Sequence, residues 1–225
     1  MDARNITLVS AIFEGRYEPT LLAPHHFGEL QERYKNDYKL TEYDPTRMAL
    51  TNHSSTKQIF FSIDNFGINH VPVVNRQEFE GEVRQHIDFI STNLGVSSFK
   101  RIGIRLDLVL PVKESEMAIE SLKVYNKLLG KTSVQQLGEA IGDLSLSFGT
   151  LGEENYKFSL SFSSREDNDN PAFKNIPKQG LVIDLDCYDE NLSVEEAYEF
   201  VNKTIQSAVS KARNFLSNFL MRSEK

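Results

Sequence analysis

The stretch FKRIGIRLDLVLP at residues 99–111 sets the first constraint on what this chain can fold into. Ile102, Ile104, Leu106, Leu108 and Leu110 are large aliphatics at every second position, and a period of two places them all on one side of a strand. Such a stripe needs a second layer to cover it. The other side of the same strand carries Arg101, Gly103, Arg105 and Asp107. Two arginines around a glycine can grip an anionic group, or they can pair with carboxylates on the next strand.

The covering layer is legible at the other end of the chain. Residues 193–220 read as a long helix that opens on an S-x-x-E capping box, Ser193 and Glu196. Glu195, Glu196 and Glu199 sit near its positive end, and Lys211, Arg213 and Arg222 towards its negative end, as the helix dipole favours. Tyr198, Val201, Ile205, Ala208, Ala212, Phe215 and Phe219 repeat at spacings of three and four. Val194, Val209, Leu216 and Leu220 widen that stripe beyond a coiled-coil seam, which suits docking onto a sheet. Its Phe215–Met221 end is where a homo-oligomer contact is expected. A second long helix is predicted over 76–94, with Phe79, Val83, Ile87, Ile90 and Leu94 on one side and Gly95 placed as its C-cap.

The remaining pattern gives strands at about 6–15, 46–53, 57–64, 66–74 and 100–110, a hairpin across 144–164 and a strand over GLVIDLDCY. Shorter helices are predicted at 23–38, 114–129 and 133–142. This predicts an α+β fold: an antiparallel sheet with long amphipathic helices packed on one face. The order suggests an internally duplicated strand–helix–strands–helix unit, with halves at about 6–95 and 99–221. No Gly/Ser- or Pro-rich linker separates them, so residues 1–225 are expected to form one domain.

Among 225 residues the formal net charge is −7, an acidic average that disfavours general nucleic-acid or anionic-membrane binding. The single cysteine, Cys187, excludes an internal disulfide and a cysteine-rich zinc module. No apolar run suits a signal peptide or a membrane span, so a cytoplasmic protein is expected.

Most apparent motifs fail on their chemistry. GKTS at 130–133 resembles the end of a phosphate-binding loop, but Tyr125 stands where that loop needs its first glycine. DNDN at 167–170 alternates like a calcium loop, yet Ala172 and Lys178 occupy the positions of the turn glycine and the bidentate glutamate. His25, His26, His53, His70 and His86 have no metal-ligand spacing; His86 reads as a hydrogen-bonded residue bordering its helix's apolar stripe. Cys187 falls on the apolar side of its strand. Asp184 and Asp186 share a strand face, roughly 7 Å apart. Paired carboxylates can hold a metal or serve as acid and base. Because Arg101 and Arg105 have the same spacing, two Arg–Asp pairs would account for both sets if the two strands are neighbours.

RIGIRLDLVLP at 101–111 also resembles the central R-x-G-x-R strand motif of a sporadically distributed, functionally uncharacterised prokaryotic protein family. IFFSIDNFGINHV before the 76–94 helix, GLVIDLDCY, and NFLSNFLM in the last helix stand at the family's other landmarks, so the resemblance spans most of the chain. Arg101, Gly103 and Arg105 match residue by residue; Leu106 and Leu108 replace the Tyr and Asn that often follow. The resemblance implies an α+β, duplicated architecture and a prokaryotic or phage origin, and it assigns no reaction. Patchily distributed families of this kind often look like accessory or defence-associated proteins.

With no nucleophile–base pair, metal cluster or phosphate loop surviving, the expected function is that of a non-enzymatic interaction protein. It would be an accessory, sensor or regulatory subunit of a prokaryotic complex linked to phage defence or its evasion, with another protein as partner and no cofactor. One alternative is a binding module for a small anion or nucleotide in a sheet/helix pocket, with Arg101, Gly103, Arg105, Asp184 and Asp186 as its site. Another is a metal-dependent hydrolase using Asp184 and Asp186.

Overall fold

The computed structural model describes residues 2–73, 75–129, 145–150, 155–164 and 170–221. The first half runs β1 (Thr7–Arg16), α1 (Leu22–Tyr34), β2 (Tyr38–Asp44), β3 (Arg47–Asn52), β4 (Lys57–Ser62), β5 (Asn65–His70) and α2 (Arg76–Leu94). The second runs β6 (Ser98–Pro111), α3 (Met117–Leu129), β7 (Ser145–Gly149), β8 (Asn155–Ser164), β9 (Gln179–Ser193) and α4 (Val194–Met221). All these strands join one antiparallel sheet in the order β2-β3-β4-β5-β1-β6-β9-β8-β7. The opening strands of the two halves, β1 and β6, pair at its centre. The other strands of each half fan outward in descending order, and each half closes with its long helix.

The helices lie on one face. The aliphatic stripe of β6 is wholly buried there with Phe13, Phe66, Ile68, Ile183 and Leu185 from neighbouring strands, under Val83, Ile87 and Ile90 of α2 and Val201, Ile205 and Ala208 of α4. The two caps expected from the sequence, Gly95 and the Ser193–Glu196 box, are both formed. Gly95 takes a left-handed φ of 66° at the C-cap of α2, and the Asn75 side chain, which the sequence reading did not single out, caps its start by accepting from the backbone N–H groups of Gln77 and Glu78. On α4, Ser193 N–H donates to Glu196 Oε2 at 2.8 Å while Glu196 N–H donates to Ser193 Oγ at 3.2 Å, the reciprocal bonds of a capping box.

Two expectations need correction. The helix expected over 23–38 ends at Tyr34, and Tyr38–Asp44 form the edge strand β2 instead. Most of β2 is exposed, so it has no alternating apolar signal to read. Its register shift between Leu40 and Glu42 and its charges Lys39, Glu42 and Asp44 are what an edge strand carries. His86 is buried rather than at a border. Its ring stacks between Tyr34 and Phe61, with centroids 5.6 and 5.4 Å away. Nδ1 lies 2.6 Å from the Glu82 carbonyl, which only accepts, so Nδ1 bears the proton and Nε2 accepts from the Tyr34 hydroxyl at 3.1 Å. A fully bonded neutral imidazole can occupy a core position that an unpaired one could not. The helix expected at 133–142, GKTS at 130–133 and the DND of the calcium-like run lie outside the described residues.

Candidate functional site

The face of the sheet away from the helices holds every site residue expected from the sequence. Because β6 pairs with β9, alternation puts Arg101, Gly103, Arg105 and Asp107 on the same side as Asp184, Asp186 and Tyr188. Arg105 is directly opposite Asp186, and Asp107 directly opposite Asp184. The ion pairs run diagonally. Arg105 grips Asp184 with both prongs, Nε to Oδ1 at 2.9 Å and Nη2 to Oδ2 at 2.7 Å. Arg101 Nη2 reaches Asp186 Oδ2 at 3.2 Å, and its guanidinium lies 4.6 Å from the centre of the Tyr188 ring. Asp107 is left to accept a short hydrogen bond from Ser10 of β1. The Asp184 bond, joined by the fields of Asp107 and Asp186, raises the Arg105 pKa further above its ordinary value against the opposing effect of burial.

The pairing of β1 with β6 adds residues that the sequence reading did not single out. Arg16 is opposite Arg101, Glu14 opposite Gly103, and Ile12 opposite Arg105. Arg16 Nε donates to Glu14 Oε1 at 2.5 Å, and that bond raises its pKa too. The available signal was the alternation Ile12, Glu14, Arg16 at the end of the first strand; which strand lies alongside is a matter of tertiary structure. Beyond β9, Lys157 of β8 sits opposite Asp186, and Ser145, Ser147, Ser159 and Ser161 continue the polar face to β7.

This placement corrects the alternative with a pocket between sheet and helices. A cavity of about 260 Å³ does lie between α4 and the β8–β9 strands, lined by Tyr156, Phe200, Lys203, Thr204 and neighbours. Arg101, Gly103, Arg105, Asp184 and Asp186 are not part of its lining. For the hydrolase alternative, Asp184 and Asp186 share a face, but each carboxylate is bonded to an arginine. Among the described residues no group of three or more His, Cys, Asp or Glu side chains is disposed to hold a metal ion. Cys187 points into the core, where burial, with a smaller contribution from the charge of Asp186, pushes its thiol up to about 12, out of reach of a thiolate at neutral pH. At the end of α4 where an oligomer contact was expected, Phe215 packs against Phe158 and Phe148, with ring centres 4.8 and 6.0 Å away, and Leu216 is buried. Among the described residues no helix is long and apolar enough to cross a membrane.

No protein-family model matches the chain, and no curated protein sequence does. Among solved structures, it is similar to a chain described as TBP from Methanococcus jannaschii, at 12% identity over 92% of this chain and 99% of that one, with a TM-score of 0.32. A likeness at that level carries no implication for activity or partners.

Proposed function

We propose that the protein is a non-enzymatic interaction module, an accessory or regulatory subunit whose helix-free sheet face meets a partner protein. One observation carries this reading: α1, α2 and α4 all pack on the other side of the sheet, and the arginines of this face are paired with carboxylates within it. Arg101–Asp186, Arg105–Asp184 and Arg16–Glu14 form a chequer of both signs, interspersed with Ile12, Tyr188 and a field of serine hydroxyls. A surface of this kind complements a partner of mixed polarity, whereas a uniformly basic face would be needed to follow a polyanion. Aspartates held by arginines are likewise poor starting points for metal-dependent hydrolysis, which needs its carboxylates on the ion. The setting in a prokaryotic complex, including one tied to phage defence, rests on the family resemblance alone.

The test is affinity capture of tagged protein from its native host with quantitative mass spectrometry. Wild type is run beside Ser147→Arg, which places bulk on the open face, and Lys123→Glu, which alters the exposed side of α3. A stoichiometric partner lost only with Ser147→Arg supports the reading. A partner retained by that variant, or none with wild type, removes it.

A further inference from the structure

A glycine within a strand forgoes side-chain packing and costs conformational entropy, so it usually answers a local need. Packing supplies the need at two central glycines. A Cβ on Gly15 would fall 2.3 Å from the Phe66 ring, and one on Gly67 would fall 2.5 Å from both the Phe13 carbonyl oxygen and the Phe60 ring. Gly103 has no such neighbour. A Cβ there would meet nothing closer than 3.8 Å, an ordinary contact, and the residue does not take the left-handed φ that favours glycine. The fold would accept a side chain at 103. What its absence leaves is a hollow of about 320 Å³ in the middle of the open face, lined by Ile12, Glu14, Arg16, Arg101, Arg105 and Asp186 around Gly103.

The charges around this hollow point the same way. Arg16 and Arg101 are directly opposite each other on β1 and β6, a like-charge pair that works against strand pairing. With Arg105 they gather three guanidiniums around the hollow, each ion-paired with one carboxylate, Glu14, Asp186 or Asp184. The hydrogen bonds present use Nε of Arg16, Nη2 of Arg101, and Nε and Nη2 of Arg105. Most of the donor capacity of the three forks is therefore unspent, and Nε of Arg101 is buried with no hydrogen-bond partner. Glu14, Asp186 and Asp184 hold the three arginines in place through these bonds.

We propose that this hollow is a binding site for a small oxyanion ligand, whose phosphate or carboxylate group sits over Gly103 and is held by Arg16, Arg101 and Arg105. The missing side chain lets the anion approach the strand closely, and Ile12 offers an apolar wall for the rest of the ligand. Guanidinium forks suit both anion types, because each presents paired oxygens to paired N–H donors. The site stands independently of protein docking elsewhere on the face, and would give a regulatory subunit something to sense.

The test is isothermal titration of the full chain with inorganic phosphate, pyrophosphate and succinate at fixed ionic strength in chloride, alongside thermal unfolding. Wild type should bind either the phosphates or the dicarboxylate saturably at one site, and which of them binds identifies the anion source. Gly103→Val should fill the hollow and weaken binding by at least about tenfold, roughly 1.4 kcal/mol, while its Tm stays at or above that of wild type. Arg16→Gln, which leaves both Arg–Asp pairs intact, should weaken binding to a similar extent. Absence of saturable binding with all three probes overturns the proposal, as does binding unchanged by Gly103→Val. A marked fall in the Tm of Gly103→Val would overturn it too, since the fold would then require the glycine.

Discussion

Ile104 and Arg105 are adjacent in the chain, yet Ile104 is fully buried under the helices while the Arg105 side chain keeps 53% of its exposure on the other face of β6. The same contrast holds for ionisable groups. On the helix side, His86 is enclosed by two aromatic rings, and Glu82 takes bonds from His70 and Lys57, both at 2.8 Å. On the open side, Arg101, Arg105, Asp184 and Asp186 pair within reach of water. Burial governs the first set. It pushes His86 down to about 4, and it would raise Glu82 were that carboxyl not brought below its ordinary value by its bonds to His70 and Lys57. Hydrogen bonding and screened charge govern the second, so the two faces should respond very differently to mutation and to pH.

The largest effect is expected on the helix side. Ile104→Ala should destabilise the protein by about 2–5 kcal/mol in denaturant unfolding, through lost burial and the cavity left in a closed core. A loss below about 1 kcal/mol would mean that the layer over β6 is loose.

Acid should reveal the buried imidazole. In the unfolded chain His86 takes its proton near pH 6.5, but in the fold only near 4. Between those values the unfolded state binds more protons, so stability falls as pH falls through that window, by about 3 kcal/mol in all. Glu82, its carboxyl lowered in the fold, adds a loss in the same direction at more acidic pH. Comparing unfolding free energies at several pH values for wild type and His86→Phe isolates the histidine: the variant should show a shallower slope between pH 6.5 and 4. Equal slopes would place His86 in a more hydrated setting.

The two central glycines on the open face sharpen the comparison further. Gly67→Ala should cost about 1–3 kcal/mol because its Cβ collides with backbone, whereas Gly103→Ala should be neutral or stabilise by up to about 1 kcal/mol. Matching losses in thermal or denaturant melts would show that the hollow is structural.

The smallest effect belongs to the ion pairs. Arg105→Ala removes a bidentate pair, but one whose arginine is half exposed, so the expected loss is about 1 kcal/mol or less and should shrink at high salt. A loss near that of Ile104→Ala would mean that the open face is covered.

Much of the fold was legible because its strongest signals are local. The β6 stripe, the long helices with their caps and the hairpin arms all follow from periodicity and terminal chemistry within one segment. β2 was missed because an exposed edge strand has no buried face to impose alternation. His86 was misplaced because its burial depends on Tyr34 and Phe61, which arrive from elements distant in sequence. At the site, the shared face of Arg101, Gly103 and Arg105 and that of Asp184 and Asp186 could be read directly. Arg16 and Glu14 could not, since they belong to the cluster only through the pairing of β1 with β6.

By itself, then, the sequence determined which side chains share a strand or helix face, because backbone periodicity is a property of the local chain. It also determined that those faces had to form an antiparallel sheet roofed by long helices, since the apolar stripes have no other way out of water. Only the tertiary structure decided which strands are neighbours, hence that arginines and aspartates pair diagonally, that two arginines confront each other across β1 and β6, and that Gly103 opens a hollow between them. Strand order and register are set by the packing of the whole core, and no single segment carries that information.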